Sequence, residues 1–539
     1  MPIRILFMLK IISALSIFIC VLNPLKAQQK FLPLHNESNR IIEADMIQKE
    51  QILHSSVKPF LESELDTLIS PDSLHKAWYS DKKQEGRSIL SRKLFNEHLL
   101  QYSGKSVSLS ADLLFDFSLG REQGRGTVFN NTRGLQMQGN LGTKFSFYTS
   151  FYENLSRLPS YINAYSAERG VVPGEGKARI SGKNVDYAIP YGYVSYTPNT
   201  YFNFQFGQGK NFFGDGYRSL ILSDYAYNYP FLKISTRFWK IKYVNLWTQY
   251  QDISSGFKGP TYPKKYASYQ YLSFAANPKL NISLFQSLIW APDTAGKGGI
   301  QLEYLNPLIF MNSLNFNIGS PANSMMGLNL RYNLFKRYSA YGQFILDDFN
   351  LSALKTAPGF FQQKYGFQLG LKAFDLFGIK NLYLQTELNR VRPYVYGHRT
   401  LKINNSHFNE PLAHPLGANF TESILQSAYK YKRIALDLKL LYARYGADSN
   451  GSHYGKNIFL SDYDAPNGQN SYGNFTGQGV KTDLYYANPN LSYLLNPSSN
   501  LKLEAGMTYR KERSALASKQ SNMVYVGIKT ALTNKYSDF

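Results

Sequence analysis

Lys210, Asn211, Asp215, Tyr217, Arg218, Asp224, Tyr225 and Asn228 crowd into one stretch, residues 206–234, which reads FGQGKNFFGDGYRSLILSDYAYNYPFLKI. Two cations, two acids and two amides stand among tyrosines, with Tyr227 and Tyr229 close behind. Sugar recognition needs that mixture. Flat rings stack on the C–H face of a pyranose, while hydroxyls and carboxylates need polar partners. The eight residues are therefore candidate glycan contacts. The alternative is structural: the loop folds into a barrel and fills its lumen, with Arg218 and Asp215 paired.

Other chemistries fit less well. Gly209 and Gly214 are spaced as in a phosphate loop, but Asp215 and Gly216 stand where Lys and Ser or Thr would reach phosphate and magnesium. His407, Glu410 and His414 are spaced like metal ligands. Pro411 between them argues against a helix that would put both histidines on one face, so a solvated extracellular loop is expected there. Ser461, Asp462, Asp464, Asn467 and Asn470 offer oxygens for calcium without the spacing and closing Glu of an EF-hand. No nucleophile-and-base signature is present. No metal, no cofactor and no catalytic residue is therefore assigned, and the chain is not expected to be an enzyme.

The elements that must position these residues follow from composition and period. Tyr (42) and Phe (36) are heavily used, charged residues make up only 18%, and the formal net charge is +22. Arg4 and Lys10 precede a mainly apolar run over residues 11–22 and a small residue, Ala27, at a cut site. That is the pattern of a secretory signal peptide over residues 1–27. The run is too short to span a bilayer as a helix, and no later segment reaches 18 apolar residues. Cys20, the sole cysteine, lies inside the run, which leaves the exported chain without thiol or disulfide. Export argues against nucleic acid as a partner. Anionic polysaccharide and the phosphates of outer-leaflet lipid suit the positive charge better.

Residues 28–104 carry helix-like pieces at 42–53, 58–65 and 91–102, read as a small, mainly helical periplasmic region. From residue 105 to 539 the period is two. Leu382, Leu384, Thr386 and Leu388 alternate with Tyr383, Gln385, Glu387 and Asn389; Ile434–Tyr442, Leu501–Tyr509 and Val524–Leu532 alternate in the same way. A membrane barrel turns the apolar face to lipid and the polar face to the lumen. Short turns are predicted near 141–144, 197–200, 238–241, 276–279, 334–337, 374–379, 431–433 and 494–499. Long loops are predicted near 120–132, 153–186, 209–230, 252–266, 291–323, 347–362, 390–421, 444–481 and 511–520. Alternating short turns and long loops predict an all-β outer-membrane barrel of about 18 antiparallel strands. Residues 300–316 are read as loop or lumen filling. The terminal Phe539 is read as ending a final strand that barrel-insertion machinery recognises.

The run 201–234, with F-G-x-G-K-N-F-F-G-D-G-Y-R-S-L-I-L-S-D and then N-Y-P-F-L-K-I, resembles the Wzi-type capsule-assembly outer-membrane barrels, and most of all the Bacteroidetes gliding-motility protein RemB group. Shorter pieces support this, in order: RKLFNEHL (92–99), NTRG (131–134), FSFYTSFYEN (145–154), VVPG (171–174), EYLNP (303–307) and YSDF (536–539). The resemblance implies an eighteen-stranded barrel in the cell outer membrane. It also implies a non-enzymatic surface protein that binds or organises extracellular or capsular polysaccharide and is associated with gliding motility. Expected partners are outer-membrane lipid and lipopolysaccharide, surface polysaccharide, barrel-insertion machinery, and other motility or surface proteins. A porin-like diffusion channel is the alternative.

Overall fold

The computed structural model describes residues 29–66, 88–253, 262–292, 299–311, 322–347, 357–449, 451–530 and 533–539. The expected signal peptide lies outside them. Among the described residues, eighteen antiparallel strands close into a barrel. They are β1 (Val107–Glu122), β2 (Gly126–Leu141), β3 (Phe145–Arg157), β4 (Asn184–Tyr196), β5 (Phe202–Gly209) and β6 (Tyr229–Phe238). Next come β7 (Ile241–Gln251), β8 (Lys264–Ala275), β9 (Leu280–Trp290), β10 (Asn323–Leu334), β11 (Tyr338–Leu346) and β12 (Tyr365–Phe374). The last six are β13 (Leu382–Val391), β14 (Phe420–Tyr431), β15 (Ile434–Ala447), β16 (Val480–Asn496), β17 (Leu501–Ser514) and β18 (Ser518–Thr530). Each strand pairs with the next, and residues 523–529 of β18 pair with 116–122 of β1. Closure leaves no unpaired sheet edge for the bilayer to solvate.

Alternation fixes which face looks out. Tyr383, Gln385, Glu387 and Asn389 of β13 are buried inside, whereas Leu388 beside them is exposed on the outer wall. Leu369, Leu371, Leu436, Leu491, Leu503, Val524 and Val526 carry that apolar surface around the barrel. An apolar exterior with a polar interior inverts the arrangement of a soluble protein and matches a barrel sitting in the outer membrane. No helix of the described residues is long and apolar enough to cross a membrane; the strands cross it.

Several sequence expectations are corrected here. The loops expected near 120–132 and 511–520 are tight hairpins at residues 123–125 and 515–517, because the flanking strands keep pairing up to the turn. Residues 299–311 form no strand, as expected of a loop, but they do not fill the lumen. They run down the outer wall over β7–β9, while residues 312–316 lie outside the described residues. The wall beneath them explains why. Asn245, Gln270 and Gln286 are paired in register across three strands and alternate with lumen-facing side chains, so three amides point toward lipid. Burying amides in hydrocarbon without partners costs several kcal/mol. The crossing segment supplies a partner to two of the three: Gln270 Nε2 donates to Asn306 O (3.4 Å) and the backbone N–H of Phe310 donates to Gln286 Oε1, while Tyr243 donates to Pro307 O. Tyr304 packs on Trp290, with ring centroids 4.9 Å apart.

The N-terminal helices are α1 (Asn36–Gln48), α2 (Glu62–Asp66) and α3 (Ile89–Phe95). Residues 100–103, expected to be helical, form instead a short strand on β1, where exposed Leu100 and Tyr102 extend the apolar outer face. Helix α1 lies across the turn end of the lumen and is held there by charge. Arg40 pairs with Asp437 (3.2 Å), Glu43 with Lys372 (2.6 Å) and Lys58 (3.2 Å), and Glu37 with Lys430 (2.7 Å). The final strand is described over Ser518–Thr530. The tail, residues 533–539, turns back into the barrel, so Phe539 does not stand on the last strand.

Candidate functional site

After β5 the chain leaves the wall at Lys210 and enters the lumen. Phe212 and Phe213 pair in an antiparallel bridge with Lys58 and Val57 of the N-terminal segment. Phe213 stacks on Tyr271 of β8, centroids 4.8 Å apart. The chain then crosses to the far wall at Gly216. A Cβ there would sit 2.5 Å from Glu387 Oε2, so only glycine lets the backbone approach that carboxylate. The approach is used at once: the N–H groups of Tyr217 and Arg218 donate to Glu387 at 2.7 and 3.1 Å.

Arg218 is the centre of the plug. It is 2% exposed, and its Nη2 lies 3.2 Å from Glu422 on β14 and 3.1 Å from Asp538 of the tail. The guanidinium also faces the rings of Tyr217 and Tyr536 at 4.9 and 5.5 Å. Asp538 in turn accepts from Tyr217 Oη (2.7 Å) and pairs with Lys439 (3.0 Å). Glu422 meets His414 Nε2 at 2.7 Å and accepts from Asn389 Nδ2 at 3.0 Å. Four parts of the chain (strand wall, β5–β6 loop, 407–414 loop and C-terminal tail) thus share one buried charge network. A buried charge persists only when so paired.

The other candidate contacts are buried or half-buried in the same plug. Asp215 accepts from Ser55 and from Asn329 Nδ2 (2.9 Å) and lies 3.8 Å from Arg331. It does not pair with Arg218, as the structural alternative had it. Asp224 accepts from Tyr536 Oη at 2.5 Å and from Asn534 Nδ2 at 2.9 Å. Lys210 Nζ donates to Gly174 O and Asp224 O at 2.9 and 3.0 Å. Asn211 Oδ1 accepts from Lys233, Tyr225 Oη meets Tyr165 Oη, and Asn228 Nδ2 donates to Pro190 O. Tyr165 lies on α4 (Ser160–Arg169), the helix of the β3–β4 loop, and packs edge-on to Phe539, centroids 5.0 Å apart. The eight residues come together in the plug, and most of their polar atoms are engaged by protein; Asn211 Nδ2 and Arg218 Nε and Nη1 are buried without a hydrogen-bond partner.

The 407–414 loop is buried as well, not solvated. His407, Glu410 and His414 are each 2% exposed or less. The backbone N–H of Gln251 donates to His407 Nδ1 (3.0 Å), so Nε2 carries the proton and donates to Asn228 O (3.2 Å). Burial drives this imidazole down to about 3, consistent with a neutral ring at physiological pH. With both nitrogens engaged, His407 has no lone pair for a metal. Glu410 accepts from the N–H groups of Gly174 (2.7 Å) and Tyr227 (3.0 Å), which ties the β3–β4 loop to the plug. Asp462, a candidate calcium ligand, is ion-paired with Lys364 at 2.8 Å.

The tail's anchor should be acid-labile. Burial alone would raise the Asp538 carboxyl, but Arg218 and then Lys439 outweigh it and hold it below the usual range. A carboxyl whose pKa falls on folding stabilises the native state above its unfolded value of about 4, and loses that contribution as pH drops further. Melting of the detergent-folded protein should therefore fall more steeply below about pH 4 in wild type than in Asp538→Asn. Parallel profiles for the two would contradict the assignment.

No protein-family model matches the sequence, and no curated protein sequence matches it. Solved structures do match by fold. The chain is similar to Wzi of Escherichia coli, described as an outer-membrane protein involved in group 1 capsule assembly and a carbohydrate-binding β-barrel. The TM-score is 0.57 at 15% identity, over 94% of this chain and 100% of that one. Weaker likenesses are OprD of Pseudomonas aeruginosa (TM-score 0.42, 9% identity, 81% of this chain and 96% of that one) and OccAB2 of Acinetobacter baumannii (0.43, 10%, 78% and 97%).

Proposed function

We propose that this outer-membrane barrel is a non-enzymatic surface protein that binds or organises extracellular or capsular polysaccharide through its loop end. The observation that carries this reading is the filled lumen. A porin-like channel needs a continuous water path, whereas here the β5–β6 loop reaches from Tyr271 on one wall to Glu387, Glu422 and Lys439 on the other. Charge pairs hold that loop in place, and the loop end is left as the working surface. The likeness to Wzi supports the same direction. Association with gliding motility, and with other motility proteins, is the finer part of the proposal and rests on the resemblance of residues 201–234 to the RemB group. Lipid and lipopolysaccharide surround the apolar wall.

The test is saturable binding of the purified, detergent-folded protein to polysaccharide extracted from the surface of the cells that make it. Binding that saturates supports the proposal. A folded barrel that binds none of it overturns the proposal. Arg218 and Tyr225 variants are unsuited as binding probes, since both side chains hold the plug together.

A further inference from the structure

With the β5–β6 loop buried, a glycan must meet other residues. Exposed aromatic rings at the loop end are gathered in one connection. Tyr463, Tyr472 and Phe475 are 42%, 54% and 62% exposed, and all three lie in the connection between β15 and β16. None of them stands on a strand, unlike the interfacial aromatics of a membrane barrel.

These rings are displayed by a rigid scaffold. The β15–β16 loop is laced to the β11–β12 loop through its backbone. Phe361 N–H donates to Ser471 O (3.1 Å), Gly473 N–H to Pro358 O (3.0 Å) and Asn474 N–H to Gly359 O (2.9 Å). Asn474 Nδ2 donates to Gly359 O as well (2.9 Å), and Arg392 Nη2 donates to Asn474 O (3.1 Å). Gly359 has φ +71°, and a Cβ on it would lie 2.5 Å from Asn474 N, so the two loops can only approach this closely with glycine there. Tyr472 stacks on Phe360, centroids 5.3 Å apart and planes 29° apart. Phe475 N–H donates to Gln478 Oε1 (3.1 Å). Arg399 Nη1 donates to Tyr463 Oη (3.3 Å).

Between the rings stand Asn467, Gln469 and Asn470, all exposed. The acid best placed for a cation, Asp462, is neutralised by Lys364. What remains is mainly amides and aromatic faces on a pre-ordered backbone, which binds with little ordering cost, with one exposed cation and one exposed acid, Arg399 and Asp464, beside Tyr463. Rings take the C–H face of a pyranose, and amides both donate to and accept from its hydroxyls.

We propose that Tyr472 and Phe475, with Tyr463 and the amides Asn467, Gln469 and Asn470, form a glycan platform for hydroxyl-rich, largely uncharged stretches of polysaccharide. The platform rests on the polysaccharide reading above and places its site. Stacking and neutral hydrogen bonds are little screened by ions, so binding here is insensitive to salt, although the chain carries +22 overall.

The experiment measures binding of the full detergent-folded chain to the extracted surface polysaccharide from about 0.05 to 0.5 M salt. Wild type is run beside Tyr472→Ala/Phe475→Ala, with Phe335→Ala as control; Phe335 is an exposed ring on a turn at the opposite end. The expected result is salt-insensitive binding that falls about tenfold or more in the double variant and is unchanged in Phe335→Ala. Retained heat-modifiable migration would show each barrel to be folded. Wild-type affinity persisting in the double variant overturns the platform and leaves the polysaccharide reading standing. Binding that collapses with salt in all three proteins overturns the platform in favour of general charge attraction. A wild type that does not bind overturns the polysaccharide reading and the platform with it.

Discussion

Arg218→Leu should cost the plug about 3–5 kcal/mol, because it strands the buried Glu422 carboxylate and leaves Asp538 with the Lys439 cation alone. Glu422 and Asp538 both lose their cation, although Lys439 still reaches Asp538 at 3.0 Å. Glu422 keeps His414 and Asn389, neither of which carries a fixed charge. The wall itself is a closed hydrogen-bonded ring, so the loss should appear first in the plug. Hydrogen exchange should rise in residues 210–228 and 533–539 while the strands stay protected, and a carboxypeptidase should begin to trim the tail. Pairing Arg218→Leu with Glu422→Leu and Asp538→Leu should recover part of the loss, since it removes the stranded carboxylates, while Lys439 keeps only the Tyr217 hydroxyl. Unchanged exchange in the single variant would mean that the network does not hold the plug.

Gly216→Val should be nearly as damaging for a different reason. Its Cβ would sit 2.5 Å from Glu387 Oε2 and 2.7 Å from both Arg218 O and Gln368 Oε1. To relieve those contacts the loop must back away from β13, and the two backbone hydrogen bonds to Glu387 lengthen. Overpacking and two buried bonds lost together make about 2–4 kcal/mol. Gly216→Ala should fall between wild type and Val. Thermal melting of the three folded proteins checks the order; a Val variant that melts with wild type would show that the approach is not tight.

Much of the wall was legible in the sequence because period-two alternation is local. The apolar side of Leu382, Leu384 and Leu388 can be seen in eight consecutive residues, and so can the lumen side of Gln385, Glu387 and Asn389. Hairpin lengths were less legible. The strands around residues 123–125 and 515–517 keep pairing through polar sequence that looks like loop. The plug could be suspected but not drawn. Gly214, Gly216 and Arg218 marked an unusual loop, yet the Asp538 that accepts from Tyr217 lies 321 residues away, and no local pattern joins them. Burial of His407, Glu410 and His414 was missed for the same reason, since a run of polar residues looks solvated until a lumen surrounds it. The outer-wall course of residues 299–311 had one readable signal, the amides Asn245, Gln270 and Gln286 at positions where alternation demands lipid-facing side chains.

The filled lumen is the claim on which the account turns, and planar-bilayer conductance of the purified barrel tests it most directly. The account predicts that insertions of wild type give no porin-sized steps. Removing the cross-lumen contacts with Arg218→Leu should introduce intermittent openings. Steady, ohmic steps from wild-type protein, of the size expected for a water-filled eighteen-stranded barrel, would contradict the plug and restore the channel reading.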